Sequence, residues 1–595
     1  MRCIFIHVVL VLALTWHQRA FVAEETATCK VVRLSDIGWT DVTATTAVAK
    51  ELLLALGYEP KVSVLSAPVT FASLKNGDID IFLGNWMPSQ EADIRPYVQE
   101  ASIIQLKRNL EGARFTLAVP DYVYEAGVKS FQDLARFSQQ FKNTLYGIEP
   151  GNDGNRLILD MIRDNAYSLK DWRLLESNEQ GMLVEVKNAI ARGDFIAFLA
   201  WEPHPMNLSM NIRYLSGGDE YFGPKFGGAS VYTVVRRGFV EECPNVAKLL
   251  NNLDFSVAME NELMNLVLHN RDNQEAAIQS WLKSNSAVTE KWLLGVKTLA
   301  GKPGTQALEH YVATKITPGF FSTKAPLGAY IAKGVTLLTT HFSKQFRAFS
   351  SGIESLVNSV LVFILQFHWA ILISIFSLLV YAGQRSISLV LLVVGGFLLI
   401  VNLGLWVETI KTLVLVMIAA GVSIALGVPL GILAARNSWV YVILQPVLDL
   451  MQTIPTFVYL IPTLMLFGLG LVPGLISTVI FAIAAPIRLT TAGLHRVPKE
   501  LIEASASFGA SSWQTLIKVE LPYSLPSIKE GFTQAIMLSL SMVVIAGLVG
   551  AEGLGIPVIR ALNTVNMTQG FEAGLAIVLV AIILDRTLNP KKHKA

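Results

Sequence analysis

The stretch 503–522, EASASFGASSWQTLIKVELP, is a polar loop between long apolar runs, and it decides the character of the C-terminal half of the chain. Residues 502–506 predict a short helix, Gly509 predicts its end, and 511–519 predict a second helix. Taken alone, this pattern also fits a generic amphipathic loop. Its place between apolar runs makes the pattern a stronger signal than it is alone. The helix–glycine–helix loop then lies at a membrane surface.

Seven apolar segments lie on either side of this loop, and all but the last, at 16 residues, reach the length of about 17 residues or more that crosses a bilayer. They are 357–382, 387–406, 409–434, 441–469, 472–492, 530–550 and 571–586. The fourth contains Pro446, Pro455 and Pro462, which predict a kink or a break. If the N-terminal half lies outside, the arginine- and lysine-rich connections fall on the cytoplasmic side, as topology requires. The number of crossings is then odd, and the loop 491–529 is cytoplasmic.

The C-terminal half resembles the permeases of type I ABC importers, whose coupling loop docks a short helix into an ATPase subunit. The resemblance covers 409–588, the all-α permease core, with an EAA-type loop at 491–529. The residues that carry the coupling loop are Glu503, Ala504, Gly509, Leu521 and Pro522. Ser505 departs from the alanine of many members but keeps a small side chain. Segments 449–456 and 550–555 are similar to permeases for choline and glycine betaine. The resemblance implies a homodimer and a separate ATPase subunit that uses ATP.

Composition agrees with a membrane half fused to a soluble half. Hydrophobic residues make up 52% of the 595 residues, and the mean hydropathy is +0.47, which is too apolar for a purely soluble protein. The formal net charge of +2 argues against general nucleic-acid binding. At the N-terminus, Arg2 and the apolar run 4–16 predict a signal peptide or N-terminal anchor over 1–23. Neither candidate cleavage point has a small residue two positions before it, so cleavage stays open.

Residues 24–300 read as a soluble α/β domain of two similar lobes. Each lobe alternates short apolar strands with helix-like segments, an order that implies a parallel sheet. The predicted strands are 29–34, 62–65 and 79–83 in the first lobe, and 143–148, 172–175 and 195–199 in the second. Two such lobes would face one another across a cleft.

Tryptophans and polar residues follow the predicted strand ends. Trp39, Asp41 and Trp86 do so in the first lobe, and Asn152 and Trp201 in the second. Open α/β sheets bind ligands beyond the carboxyl ends of their strands. Aromatic faces attract a cation that has no hydrogen-bond donors, with roughly 0.5–2 kcal/mol available per ring. Ordinary packing of the rings, helix capping by the aspartate and turn formation by the asparagine are the alternatives.

The soluble half resembles the periplasmic choline-binding proteins of bacterial ABC importers, which have a two-lobed, type II-like fold. The resemblance is carried by 36–41, 82–88, 147–156 and 201–205. It implies a cage of tryptophans around trimethylammonium, with two polar residues near the hydroxyl end. The implied ligand set is Trp39, Asp41, Trp86, Phe115, Asn152 and Trp201, where Phe115 stands in place of the family tyrosine. We therefore expect a working cage with altered affinity or selectivity.

The cysteines offer one further constraint. Cys3 lies in the predicted signal, which leaves Cys29 and Cys243 in the soluble half. In an oxidising compartment these two could pair, and two unrelated thiols fit the sequence equally well. The family resemblance implies that they form a disulfide.

The segment between the halves is rich in Gly, Pro, Ser, Thr and Lys. We read 301–355 as a linker with a possible interfacial helix; 301–326 is the linker proper, and no spanning segment is evident over 301–352. Residues 330–356 mix apolar and basic side chains and fit either an interfacial helix or a solvated connector. Residues 356–408 are read as extra transmembrane helices.

These features predict the binding and permease subunit of an importer for choline, in the inner membrane of a bacterium with the binding domain outside. The sequence contains no Gly-x4-Gly-Lys-Ser/Thr phosphate loop and no zinc-ligand spacing, which predicts a subunit that is not an enzyme and binds no cofactor or metal. Glycine betaine or another quaternary amine is the rival substrate. A membrane-anchored chemosensor for such cations is an alternative of another class.

Overall fold

The computed structural model describes residues 27–270, 273–315 and 327–588. The predicted signal, at 1–23, lies outside the described residues. The chain divides into two compact units. The first contains the described residues within 1–115, 201–209 and 222–322, and the second contains those within 116–200, 210–221 and 323–595.

Among the described residues, the strands all lie in the N-terminal half. They are β1 Val31–Asp36, β2 Glu59–Val64, β3 Ile81–Met87, β4 Ile103–Pro120, β5 Thr144–Tyr146, β6 Arg173–Leu175, β7 Ala197–Glu202, β8 Ile212–Tyr214 and β9 Gly228–Arg236.

The α-helices up to residue 315 are α1 Thr40–Ala55, α2 Ala67–Asn76, α3 Glu91–Gln99, α4 Asp121–Glu125, α5 Phe131–Arg136, α6 Asp153–Arg163, α7 Glu179–Arg192, α8 Met206–Ser209, α9 Asp219–Phe222, α10 Pro224–Gly227, α11 Phe239–Glu242, α12 Pro244–Asn252, α13 Val257–His269, α14 Gln274–Ser284, α15 Ser286–Trp292 and α16 Gly304–Lys315. Two 3-10 turns, Ala27–Lys30 and Ala166–Ser168, accompany them.

The later α-helices are α17 Leu327–Leu365, α18 Trp369–Gln384, α19 Ile387–Asn402, α20 Trp406–Arg436, α21 Ser438–Thr453, α22 Thr456–Phe467, α23 Leu471–Ala482, α24 Ala484–His495, α25 Lys499–Ser507, α26 Ser512–Thr515, α27 Leu521–Ser541, α28 Val543–Gly547, α29 Gly555–Asn563 and α30 Met567–Leu588. A π-helical turn, Leu516–Glu520, joins α26 to α27.

In the first unit the strand order is β2-β1-β3-β9-β4. Strand β1 pairs in parallel with β2 and with β3, which confirms the predicted parallel arrangement. Strand β9 runs antiparallel to β3 and β4, and neither β4 nor β9 was predicted. Nearly every residue of β3 is buried, as expected of a central strand covered on both faces.

Two covalent or ionic links join distant parts of this unit. Cys29 and Cys243 form a disulfide with a Cα–Cα distance of 5.6 Å. Asp80 accepts hydrogen bonds from Arg33 and Arg236. Helix α16 also belongs to this unit, because Tyr311 donates its hydroxyl to Glu51 at 3.0 Å. The sequence reading of 301–326 as a plain linker missed this helix.

The second unit contains the second lobe, 116–200 with 210–221, and the helices of the C-terminal half. Strand β5 lies in parallel between β6 and β7, which confirms the second predicted repeat. Strand β8 pairs antiparallel with the end of β4.

The apolar helices agree with a polytopic membrane domain, with corrections to the predicted spans. Within the described residues, four helices are long and apolar enough to cross a membrane: Lys344–Leu365, Trp406–Arg436, Leu471–His495 and Met567–Leu588. The helices Ser438–Thr453 and Thr456–Phe467 count as a fifth span if they are taken together, and the angle between them is 98°. This bend confirms the break that was predicted from the prolines.

The predicted single span 357–382 is wrong. It is two helices, α17 and α18, because the polar residues Gln366 and His368 separate them and His368 caps the second. Both α18 and α19 are short apolar helices of 16 residues. The predicted span 530–550 falls on α27 and α28, and α27 already begins at Leu521.

Candidate binding site and coupling loop

Four aromatic side chains meet in the first unit, and we call them the ring box: Trp39, Trp86, Phe115 and Trp201. Each comes from a different strand or strand end. Trp39 precedes α1, Trp86 lies in β3, Phe115 in β4 and Trp201 in β7. The sheet order therefore collects residues that are as much as 162 positions apart (201 − 39).

The geometry of the ring box fits a small cation. The centroid of Phe115 lies 6.4 Å from that of Trp39, 6.0 Å from that of Trp86 and 6.4 Å from that of Trp201. Phe115 is stacked on Trp39 with 26° between the ring planes, whereas Trp86 and Trp201 are tilted against it by 50° and 58°. Every ring is at most 3% exposed. A cation placed among such rings lies within the roughly 6 Å range over which a ring face attracts it.

One carboxylate belongs to this cluster. Asp41, in the first turn of α1, accepts a hydrogen bond at 2.9 Å from Trp86 Nε1 to its Oδ2. Asp41 is only 2% exposed, so its charge acts in a medium that screens it weakly. The arrangement combines ring faces with one buried negative charge, which is the chemistry that favours a quaternary ammonium ion.

Trp201 adds a donor to the same cluster. Its buried Nε1–H has no hydrogen-bond partner within the described part of the protein. A buried donor without a partner costs free energy, so this N–H is suited to an acceptor oxygen on a ligand. Its backbone is held in place because Asn207 Nδ2 donates to Trp201 O at 2.9 Å.

Three side chains near the ring box were not among the predicted site residues. Phe222 packs its edge against Phe115 with centroids 6.3 Å apart, and His204 packs against Trp201 at 5.0 Å. Glu260, from α13, is fully buried, and burial raises its pKa well above the usual range, with the charge of Asp41 adding to the effect. No local sequence signal marks Phe222 or Glu260, whereas the motif at 201–205 contains His204.

Asn152 lies in the second unit, whereas the ring box and Asp41 lie in the first. It is the N-cap of α6, and its Oδ1 accepts from Gly154 N at 2.8 Å. Its Nδ2 donates to Glu149 Oε1 at 3.2 Å. Asn152 therefore caps a helix, a role that the sequence reading did not name for it, since the alternative offered for Asn152 was turn formation. A ligand contact by Asn152 stays a prediction.

The coupling-loop residues form the predicted short helix. Helix α25 contains Glu503 and Ala504, and Gly509 ends the turn in a left-handed conformation with φ of 76°. A glycine suits this position because side chains rarely adopt positive φ. Leu521 and Pro522 open α27.

Two large apolar side chains of this loop are exposed, and together they form an apolar patch. Phe508 is 92% exposed and Trp513 is 68% exposed. Inside the loop, the Ser505 and Thr515 hydroxyls share a hydrogen bond of 2.9 Å, and Arg436 at the end of α20 contacts Glu520 at 2.5 Å. The loop is thus fixed from within while its apolar side chains face outward, as in a surface that a partner protein covers.

Both halves of the chain match known protein families. Residues 30–284 match the substrate-binding domain of the ABC-type glycine betaine transport system, and 427–586 match the binding-protein-dependent transport system inner membrane component. The glycine betaine transport system permease protein OpuAB of Bacillus subtilis is 43% identical over 46% of this chain and 96% of its own length. The chain belongs to the quaternary-amine ABC importer family.

A second relative of the importer is the glycine betaine/carnitine transport permease protein GbuB of Listeria monocytogenes, 42% identical over 45% of this chain and 96% of its own length. A solved ABC-transporter choline-binding protein in complex with choline is 52% identical, covering 48% of this chain and 100% of its own, with a TM-score of 0.47.

These matches confirm the predicted fusion of a binding domain with a permease. They assign both halves of the importer to transport components rather than to an enzyme, and such components need no cofactor of their own. Within the described residues, no group of three His, Cys, Asp or Glu side chains is arranged to hold a metal ion.

Proposed function

We propose that this chain captures choline outside the cell and passes it through its own membrane domain, driven by a separate ATPase subunit. The observation that carries the proposal is the ring box with Asp41 beside it, hydrogen-bonded to Trp86. The rings attract the trimethylammonium group, and the carboxylate adds a charge of the right sign. Asn152 and the Trp201 N–H would serve the hydroxyl end of the ligand.

Choline fits this site better than glycine betaine. Both ligands carry the same trimethylammonium head, so the ring box does not distinguish them. The carboxylate of betaine requires donors, and Asp41 would repel it. Betaine is the second candidate because the matched permeases are described as glycine betaine transporters and because the Trp201 N–H is a buried donor without a partner among the described residues.

Transport follows from coupling the two halves to ATP hydrolysis. We infer a homodimer, since one chain supplies one permease domain, with two ATPase subunits on the cytoplasmic side. The exposed side chains Phe508 and Trp513 beside α25 offer the apolar surface that an ATPase groove would cover. Attachment of the binding domain to its permease also raises its effective concentration at the pore.

The test is calorimetric titration of the full-length protein in nanodiscs with choline, glycine betaine and acetylcholine. We expect choline to bind tightest, and Trp86→Ala or Trp201→Ala to abolish binding. Trp439→Ala is the matched control, because Trp439 is 76% exposed in the membrane half. Tighter binding of betaine than of choline would contradict the substrate, and unchanged affinity in Trp86→Ala would contradict the ring box.

A chemosensor is distinguished by transport itself. Proteoliposomes that contain the protein and its ATPase should accumulate labelled choline when ATP is supplied on the cytoplasmic side. A protein that binds choline but never accumulates it would be a sensor.

A further inference from the structure

Helix α17 is broken close to its middle. Phe342 has φ of −116° and ψ of 15°, which lie outside the helical range, so Leu327–Leu365 consists of two helices joined at this residue. The second, Lys344–Leu365, is long and apolar enough to cross a membrane. The first, residues 327–341, ends two residues before that span begins, and we call it the pre-span helix. Its C-terminal end therefore lies at the surface of the bilayer.

One face of the pre-span helix is apolar. Ile331, Val335 and Leu338 follow one another at spacings of four and three residues, so they lie on the same face. Tyr330 and Leu337, seven residues apart, form a neighbouring row. Ile331 and Tyr330 are each 66% exposed, and Leu337 is 60% exposed. Large apolar side chains that are exposed together on one face indicate a contact with a partner or a membrane.

The charges of this region are all positive. Between residues 327 and 353 the chain has three basic residues, Lys333, Lys344 and Arg347, and no acidic residue. Arg347 is paired with Asp194 at 2.6 Å, whereas Lys333 and Lys344 are exposed. Lys333 lies two residues after Ile331, about 200° around the helix, so it is on the side away from the apolar face. Basic side chains at a membrane surface are attracted to anionic headgroups.

Lipid is the occupant that the surroundings supply to the apolar face. The pre-span helix is joined to a span, so the bilayer surface is within its reach without any further partner. An apolar face with basic residues beside it is typical of helices that lie in the membrane surface, and an aromatic side chain such as Tyr330 suits the headgroup level. Water alone would leave this face exposed, which costs free energy.

We propose that the pre-span helix lies in the surface of the bilayer, with Ile331, Val335 and Leu338 among the acyl chains and with Lys333 and Lys344 beside anionic headgroups. In the proposed importer this is the outer surface of the membrane. The proposal decides between the interfacial helix and the solvated connector that the sequence leaves open. It does not rest on which amine the protein binds, so the two proposals fail independently.

The test measures the depth of single positions in the full-length protein in nanodiscs. Cys3→Ser in every variant leaves the introduced cysteine as the free thiol, because Cys29 and Cys243 form a disulfide. A bimane fluorophore is attached to Ile331→Cys, to Leu338→Cys or to the matched control Lys333→Cys.

Lipids with brominated acyl chains quench a fluorophore inside the bilayer, and iodide quenches one in water. We expect the lipid to quench the first two positions and iodide to quench the control. An unfolding temperature equal to that of the unlabelled protein shows that the labelled chain is folded.

The charge of the lipid is tested in the same variants. Nanodiscs of phosphatidylcholine are compared with nanodiscs that also contain phosphatidylglycerol, which is anionic. We expect phosphatidylglycerol to raise the ratio of membrane-bound to free pre-span helix at Ile331→Cys, by about fivefold for each lysine. Lys333→Gln with Lys344→Gln should abolish this increase, and high salt should weaken it.

Two results would overturn the proposal. Equal quenching by iodide at all three positions would mean that water surrounds the helix. Protection of Ile331→Cys and Leu338→Cys from both quenchers would mean that protein covers the apolar face, either from the same chain or from a second copy. An equal ratio with and without phosphatidylglycerol would exclude the anionic headgroups as partners of Lys333 and Lys344.

Discussion

Trp86 donates its indole Nε1–H to Asp41 Oδ2 at 2.9 Å, so the carboxylate at the candidate site and one of its rings are fixed to each other. The bond orients the Trp86 ring and keeps the Asp41 charge beside the ring faces. Both residues are at most 2% exposed, so water cannot easily take over this hydrogen bond if it is lost. Breaking it would leave buried polar groups without a partner, which costs free energy. We therefore expect this pair to favour a cation with a hydroxyl end over a zwitterion.

Replacing Asp41 with Asn should change selectivity more than stability. The amide oxygen can still accept from Trp86, but the negative charge is lost. A nearby charge in a protein of effective dielectric constant about 20 is worth a few kcal/mol, so we expect choline binding to weaken about tenfold or more while betaine binding weakens less or improves. Titration with both ligands gives the ratio, and a ratio equal to that of the wild type would remove Asp41 from the site.

Phe115 contacts the three other rings of the ring box. We therefore expect its aromatic face, and not only its side-chain volume, to contribute to choline binding. Phe115→Leu keeps most of the volume but removes one aromatic face, worth roughly 0.5–2 kcal/mol, and choline affinity should fall about tenfold. Phe115→Tyr keeps the face and should bind choline with an affinity close to that of the wild type. Equal affinities for the Leu and Tyr variants would show that the ring face contributes nothing.

Glu260→Gln should stabilise the protein at neutral pH. Burial, with the charge of Asp41, raises the pKa of Glu260, so the folded protein holds a proton that the unfolded chain releases above about pH 4.3. The wild type therefore loses stability as pH rises above that value, and the neutral glutamine does not. We expect the variant to unfold at higher urea at pH 7, by on the order of 1 kcal/mol or more, and the difference to vanish near pH 4. A variant less stable at pH 7 would contradict the buried proton.

Asp80 should show the opposite dependence. Burial opposes its ionisation, but hydrogen bonds from Arg33 and Arg236 outweigh burial and lower its pKa. The stability from this cluster is present above the unfolded value of about 3.9 and is lost as pH falls through the lower folded value. Asp80→Asn should cost about 3 kcal/mol at pH 7, because it removes the carboxylate that Arg33 and Arg236 share and leaves Arg236 paired with Glu242 alone. Urea unfolding at pH 7 and at pH 3 checks this, because the cost should shrink in acid.

Substitutions in the exposed patch on the coupling loop should weaken association with the ATPase subunit and leave choline binding unchanged. Phe508→Ser and Trp513→Ser remove apolar surface that faces solvent, so folding and choline binding should be unchanged. Association with the ATPase should weaken about tenfold or more if these are anchor residues of the interface. Leu294→Ser is the matched control, since Leu294 is 74% exposed in the soluble half. Choline-stimulated ATP hydrolysis at wild-type level in the double variant would exclude the patch as the coupling surface.

Local patterns predicted most of the strands and most of the helix positions in both halves. Short runs rich in apolar and β-branched residues between turns predicted β1, β2, β3, β5, β6 and β7, because such runs favour strands. The prolines of 441–469 predicted the bend at Pro455 for the same local reason. The break between α17 and α18 and the helix α16 were missed, since short polar interruptions and marginal helices are decided by packing.

The long strands β4 and β9 were also missed. Strand β9 pairs with both β3 and β4 across more than 100 positions of sequence, and no local period marks such a pairing. Phe222 and Glu260 reach the candidate site for the same reason, through elements distant in the chain.

The sequence by itself determined that this chain joins a two-lobed binding domain to a permease, and it named the aromatic residues of the ring box. Strand ends and apolar spans are local features, and they pointed to Trp39, Trp86, Trp201 and a membrane half. The resemblance to known families supplied Phe115 and the assignment of the membrane half as a permease. Only the tertiary structure decided that Trp86 is bonded to Asp41, that Glu260 is buried close enough to Asp41 to feel its charge, and that Asn563 holds Pro150. Those contacts join residues 45 to 413 positions apart, and only the folded chain brings them within hydrogen-bonding or Coulombic range.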